Sequence, residues 1–302
     1  MQLRESGRSA VIPPARLPAN AVAAVDISCG GLVVATGEDL VGMRPCVAAA
    51  TGKAGEQARR AGFGDHRVWC APEVDDLARA AETGVVDEPW ALVDAPRVQV
   101  GGVALPFSEV GGATLHRARR WLGQRIDTGS MELRLIVPTN WGNVRIDKAE
   151  RAAAAVGLAP TTFRAALFQA DALSSSSVRW AYTVELSAKG AVVSLVHRER
   201  RTLSLVDTAF VLRVDPDHCP YDDALRDSAG EPGDFGLRVL TALRSIRERH
   251  RSARHGSSEI LVRGSGAGPL VDLFDIASMP SFPVPSGAVA EAACSLPAAR
   301  ND

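Results

Sequence analysis

The stretch Glu132-Leu133-Arg134-Leu135-Ile136-Val137 alternates and then turns wholly apolar, as a strand entering a buried sheet does. Pro138 ends it, because proline cannot donate to a sheet ladder. After Thr139-Asn140-Trp141-Gly142-Asn143, residues Val144 to Val156 are rich in Ala, Arg, Lys and Glu, and the run stops at Gly157. Strand, turn and helix in this order point to an α/β architecture. A chain of 302 residues is longer than one core usually fills, so two lobes are expected.

The remaining pattern extends this reading. Ala21 to Ile27 and Leu32 to Ala35 are apolar runs joined by Ser28-Cys29-Gly30-Gly31, which reads as a hairpin. Turn signals occupy Val41 to Gly64, with a basic stretch at Lys53 to Arg60, and Pro72 to Thr83 has helical spacing. Trp90-Ala91-Leu92-Val93 and Val98-Gln99-Val100 read as short strands, and Ser108 to Gln124 as a helix. Ala165 to Leu173 is a second helical run, closed by the polar break Ser174 to Ser177. Trp180 to Leu186, Ala191 to Val196 and Arg201 to Leu205 form a strand series with Lys189-Gly190 at its first turn. Pro216 to Pro232 is Asp-, Pro- and Gly-rich and reads as an irregular connection. Phe235 to Arg249 is an amphipathic helix, and Glu259 to Val262 is a strand running into Gly264-Ser265-Gly266-Ala267-Gly268. Leu270 to Ile276 opens another helix, Met279 to Pro285 is extended, and Ser286 to Leu296 is a last helix capped by Ser286.

Composition excludes several function classes. A formal net charge of -1 offers no long-range attraction for nucleic acid or anionic lipid. Five cysteines without a Cys-x-x-Cys pair fit neither a disulfide scaffold nor a zinc site, so a reducing cytoplasm is expected. The six histidines are scattered at no ligand spacing. No apolar run is long enough for a membrane span, and residues 1–20, with three arginines and three prolines, read as a flexible lead-in. No nucleophile elbow, Walker loop or dinucleotide fingerprint occurs.

An Asp-bearing hairpin, a Val-Pro strand end with a helix closing in Gly-Leu, a second acidic hairpin and a late strand with a glycine loop resemble the nucleotide-binding domain of the heat-shock-70 chaperones, in the actin-like ATPase superfamily. Val137 to Leu158 carries the closest local likeness. The wider arrangement, with Ala91 to Asp94 and Val98 to Val100 before a helix, looks most like actinobacterial type VII secretion-associated proteins. The resemblance implies an α/β, two-lobed actin-like (ribonuclease H-like) fold with a minimal lid on the second lobe. Residues 21–158 would form lobe I, residues 159–296 lobe II, and residues 297–302 a disordered tail.

The same resemblance implies a cleft for ATP or ADP with magnesium. Backbone N–H groups of two glycine-rich turns would cradle the phosphates, and carboxylates would hold the metal through water. Asp26 stands where the family's metal-side Asp stands, followed by Ser28, Cys29 and Gly30 in place of the usual small turn. A turn-capping Asp at a strand end is the ordinary alternative. At the second turn Glu185, Ser187 and Gly190, with Leu186, Ala188 and Lys189 between them, replace a glycine run. Lys189 reads as a solvated turn lysine. The family's hydrolytic Glu has no counterpart, since Gln169 and Asp171 are displaced from it and are expected on helical surface. Gly264, Ser265 and Gly266 resemble the adenosine-side loop. These losses lead us to expect a degenerate heat-shock-70-like protein with lost or weak ATPase activity, no catalytic residue, and a protein partner such as secretion machinery. A working ATPase with divergent phosphate loops is the alternative.

Overall fold

The computed structural model describes residues 21–43, 45–49, 68–70, 85–126, 131–173, 178–187, 189–199, 202–212, 226–227, 231–232, 234–251, 253, 258–264 and 266–295. The segments 1–20, Lys53 to Arg60, Pro72 to Thr83, Ser174 to Ser177, residue Ser265 and the tail 297–302 lie outside them, as does most of Pro216 to Pro232.

Strands β1 (Val22–Asp26) and β2 (Leu32–Ala35) pair antiparallel across the turn Ser28 to Gly31. Gly30 has φ 70°, a left-handed conformation that favours glycine and lets the chain reverse there. β3 (Leu40–Met43) adds antiparallel to β2. On the other side of β1 lies β4 (Glu132–Val137), parallel to it, and then β5 (Thr161–Arg164), parallel to β4. Helix α1 (Phe107–Gly123) precedes β4, and α2 (Asn143–Ala155) makes the crossover from β4 to β5. The two helices pack closely because Gly111 and Gly112 carry no side chain. A Cβ on Gly111 would stand 3.2 Å from the Ala152 Cβ, and one on Gly112 3.3 Å from the Ala152 carbonyl oxygen. Their apolar faces cover the outer side of the sheet through Leu115, Ala118, Ala149 and Ala152.

After β5 the chain continues through α3 (Ala165–Leu173), β6 (Trp180–Ser187), β7 (Gly190–Glu199), β8 (Thr202–Leu212), α4 (Asp234–Arg249), β9 (Ser258–Arg263), α5 (Ala267–Ile276), β10 (Ser281–Pro283) and α6 (Ala288–Ser295). The second sheet repeats the first. Its order β8-β7-β6-β9-β10 matches β3-β2-β1-β4-β5, and the senses match too: antiparallel, antiparallel, parallel, parallel. Helices α4 and α5 cover its outer face through Val239, Leu243, Leu270 and Phe274. Helices α3 and α6 share a third core with Ala24 and Ile136 of the first sheet and Ala181 and Leu261 of the second. Apolar burial on that scale holds the two halves together. No helix among the described residues is long and apolar enough to cross a membrane.

Several expectations need correction. Trp90 to Val93 is not a strand, because Pro89 fixes the first φ of a 3-10 turn, Pro89–Leu92, in which Ala91 N–H bonds the Glu88 carbonyl at 3.0 Å. The third strand of the second sheet ends at Leu212 rather than Leu205, since Gly190 to Leu195 remain open for pairing beyond a bulge at Leu195/Val196. β5 lies beyond residue 158 yet completes the first sheet, which moves the division between halves to the end of β5. The helix α6 returns to pack on β1, β2 and α3, so sequence order and lobe membership part company at the C-terminal end.

Candidate functional site

The duplicated sheets place two acids at equivalent positions. In the first hairpin Asp26 pairs with Val33 and, across the parallel side, with Ile136; in the second, Glu185 pairs with Val192 and Arg263. Both hairpin turns point into the junction between the halves, where Ser28 and Gly30 of one and Ser187 and Lys189 of the other line a single cavity.

Each acid is held by a residue from the opposite half. Arg263, the last residue of β9, donates from Nη1 to Asp26 Oδ2 at 2.7 Å, and from Nη2 to Ser28 Oγ. Ser28 Oγ in turn donates a hydrogen bond to Asp26 Oδ1 at 2.5 Å, and its backbone N–H donates to the same oxygen at 2.9 Å. Thr139, just past the end of β4, donates from Oγ1 to Glu185 Oε1, and its N–H faces Glu185 Oε2 at 3.4 Å. Thr139 Oγ1 also accepts from Ala166 N–H at 2.9 Å, and its carbonyl accepts from Arg164 Nη1 at 2.6 Å. The end of each half's central parallel strand thus secures the acid of the other.

These groups are desolvated. Arg263 is 4 % exposed, Asp26 5 % and Glu185 2 %. Burial pushes the Glu185 carboxyl up to about 7, against the opposing pull of Arg263 and the Thr139 donors. Burial disfavours the Arg263 cation, but the Asp26 carboxylate foremost, with Glu185, more than offsets this, so the guanidinium stays charged. The Cys29 thiol is pushed up to about 11 by burial, which leaves it a neutral thiol.

Two cavities open on this cluster. The larger in apolar character, about 250 Å³, has walls of Ile27, Trp90, Trp141, Val192, Phe210 and Leu212, with Glu88 and Lys189 also lining it. Trp90 and Trp141 stand 6.4 Å apart at 44°. One wall carries Asp94, gripped bidentately by Arg145 at 2.8 and 2.7 Å. The hydrogen bonds from Arg145, reinforced by its charge and by Lys189 and Lys148, lower the Asp94 pKa against a smaller effect of burial. The second cavity, about 320 Å³, lies on the other side and is lined by Asp26, Cys29, Gly31, Arg263, Gly264 and Gly287, among others.

The sequence-derived site residues therefore divide. Ser28, Gly30, Glu185 and Ser187 line the first cavity, while Asp26, Cys29 and Gly264 line the second. Gly190 and Gly264 serve close packing. A Cβ on Gly190 would stand 2.1 Å from the Val211 carbonyl oxygen, and one on Gly264 2.4 Å from that of Leu186. Gly266 has φ 82° immediately before α5. Lys189 is exposed at its turn. Gln169 is a correction. It is fully buried, and its amide donates to the carbonyls of Leu261 and Val184 at 2.9 and 3.3 Å, tying α3 to the second sheet. Asp171, partly buried, pairs with Arg198 at 3.1 Å. Sequence reasoning missed Arg263 and Thr139 as partners of the two acids, and the tryptophans as cavity walls. The one local signal for Arg263 was an arginine closing an apolar strand run.

A divalent cation at Asp26 does not fit this arrangement. It would have to displace a guanidinium from the carboxylate, and the two positive charges would share a desolvated space. Among the described residues no three His, Cys, Asp or Glu side chains converge as metal ligands. Compared with known proteins, the chain matches no family model and no curated protein sequence.

Proposed function

We propose that this chain is a degenerate two-lobed protein of the actin-like ATPase kind, similar to heat-shock-70 nucleotide-binding domains and to type VII secretion-associated proteins. In this reading the cleft has lost tight Mg-nucleotide binding, and the molecule acts through protein contacts. Two sheets of identical order and sense, each presenting an acidic hairpin to one junction, support the frame. The Arg263 guanidinium on Asp26 carries the loss of activity, because it places a fixed positive charge on the carboxylate that would serve the metal. Ser187 and Lys189 carry side chains at the second turn and line the cavity there, where phosphate binding needs open backbone N–H groups.

The test is calorimetric titration with Mg-ATP, paired with a phosphate-release assay on the intact chain. No binding at micromolar ATP and no release above the buffer rate are expected. Tight binding with turnover that Asp26→Asn abolishes would replace this reading with that of a working ATPase.

A further inference from the structure

We propose that the cavity walled by Trp90 and Trp141 is a binding site for a small aromatic amine in its ammonium form. Such a ligand lies outside the degenerate-cleft reading above, and the cavity's own lining assigns it.

The cavity runs from an exposed rim to a buried floor. Phe210 and Leu212 are 44 % and 58 % exposed, whereas Ile27, Val192, Trp90 and Trp141 are buried. Phe210 and Leu212 stand on β8, the edge strand of its sheet, so no further strand covers them. Large apolar side chains left in water beside a buried apolar floor mark a ligand pocket rather than a packing gap. A cavity of about 150 Å³ holds one benzene. At about 250 Å³, this one admits a single ring carrying a short chain. The two tryptophans offer such a ring aromatic contact, and their π faces favour a cation beside it.

Charge narrows the ligand further. The ionisable side chains facing the cavity are Glu88 and Asp94 on either side of the 3-10 turn, Arg145 on α2, Glu185 on β6 and Lys189 at the β6–β7 turn. Asp94 and Arg145 neutralise one another. Lys189 is exposed, so water and salt screen its charge. Two acids remain. Glu185 lies at the buried floor and is bonded by the uncharged Thr139 hydroxyl. Glu88 is half-buried and has no cation partner among the described residues; burial and Asp87 both raise its pKa. Its carboxylate overhangs the first hairpin turn, where a Cβ on Gly30 would stand 3.3 Å from Oε1. An ammonium group there meets an acid that the chain itself leaves unpaired, whereas a phosphate or carboxylate ligand is repelled.

The experiment titrates the full chain calorimetrically with phenethylamine, which is protonated at neutral pH. Phenethyl alcohol and hydrocinnamate serve as its neutral and anionic counterparts. We expect one amine bound per chain, at least tenfold more tightly than the alcohol, and no detectable binding of hydrocinnamate. Glu88→Gln should remove most of the preference for amine over alcohol while leaving the alcohol's affinity nearly unchanged. Ala91→Phe, which fills the cavity from its wall, should abolish binding of both. Melting curves establish that each variant is folded. If Ala91→Phe is not, Leu212→Gln on the exposed rim takes its place and should weaken amine and alcohol alike, by several-fold. Failure of the parent protein to bind the amine overturns the inference, as does alcohol or hydrocinnamate binding as tight as the amine's. So does an amine preference that survives Glu88→Gln, or amine affinity that neither the filled cavity nor the altered rim reduces.

Discussion

Replacing Asp26 with Asn removes one negative charge and turns the oxygen that accepts from Arg263 Nη1 into an N–H donor. The Asn Oδ1 still accepts from the Ser28 N–H, now at 2.9 Å, so the turn geometry survives. What changes is the electrostatic environment of Arg263, whose guanidinium is left in a space only 4 % exposed without its 2.7 Å counter-ion. Stranding one member of a buried ion pair costs about 3–5 kcal/mol. A typical domain holds about 5–15 kcal/mol in all, so the variant should lose a large share of its stability. Adding Arg263→Met removes the stranded charge, and the double variant should regain at least about 2 kcal/mol over Asp26→Asn alone. Urea denaturation followed by far-ultraviolet circular dichroism measures all four proteins of the cycle. If Asp26→Asn lies within about 1 kcal/mol of the parent, or if the two substitutions simply add, the pair is not the interlobe clasp described above.

Other consequences are testable with the same assay. Because burial raises the folded-state pKa of Glu185 to about 7, the folded chain binds more protons than the unfolded chain between the unfolded carboxyl value and 7. The stability Glu185 contributes is therefore complete below the unfolded value and is lost as pH rises through 7, at no more than about 1.4 kcal/mol per pH unit. Glu185→Gln should flatten the pH profile over that window, and an unchanged slope would show that another group titrates there. Gly264→Ala should cost about 2 kcal/mol or more, since its φ of 107° and the Leu186 carbonyl oxygen both exclude a Cβ. Near-parent stability of that variant would mean the strand-to-loop packing is loose. Gln169→Ala should cost about 1–3 kcal/mol by leaving the buried carbonyls of Val184 and Leu261 without the Gln169 donor, read as a shift in denaturation midpoint at constant slope.

The elements legible in the sequence were those whose burial has a simple period. β4 and α2 are recognisable because a strand packed on both faces must be apolar and a helix on an outer face must be amphipathic. The hairpin β1–β2 is marked by its glycine turn. β3 and β5 escaped because four residues are too few to display alternation, and their strand character comes from the neighbours that pair with them. Gln169 escaped for a related reason. α3 is wedged between both sheets and buries most of its residues, and a lone amide among alanines gives no sign of this. At the site, Asp26 and Glu185 stood out as acids ending apolar runs. Their partners did not, since Arg263 is 237 residues from Asp26 and Thr139 is 46 from Glu185. Pairings at that separation are set by how the two halves dock, which no local pattern encodes.

The central claim is that a side chain of the protein itself holds the carboxylate on which a metal-bound triphosphate would depend. A crystal structure of the intact chain grown with Mg-ATP tests it directly. The account predicts Arg263 still bonded to Asp26 and Ser28, with no triphosphate between the two hairpin turns. A terminal phosphate and its magnesium ordered there, with Arg263 swung away, would contradict it.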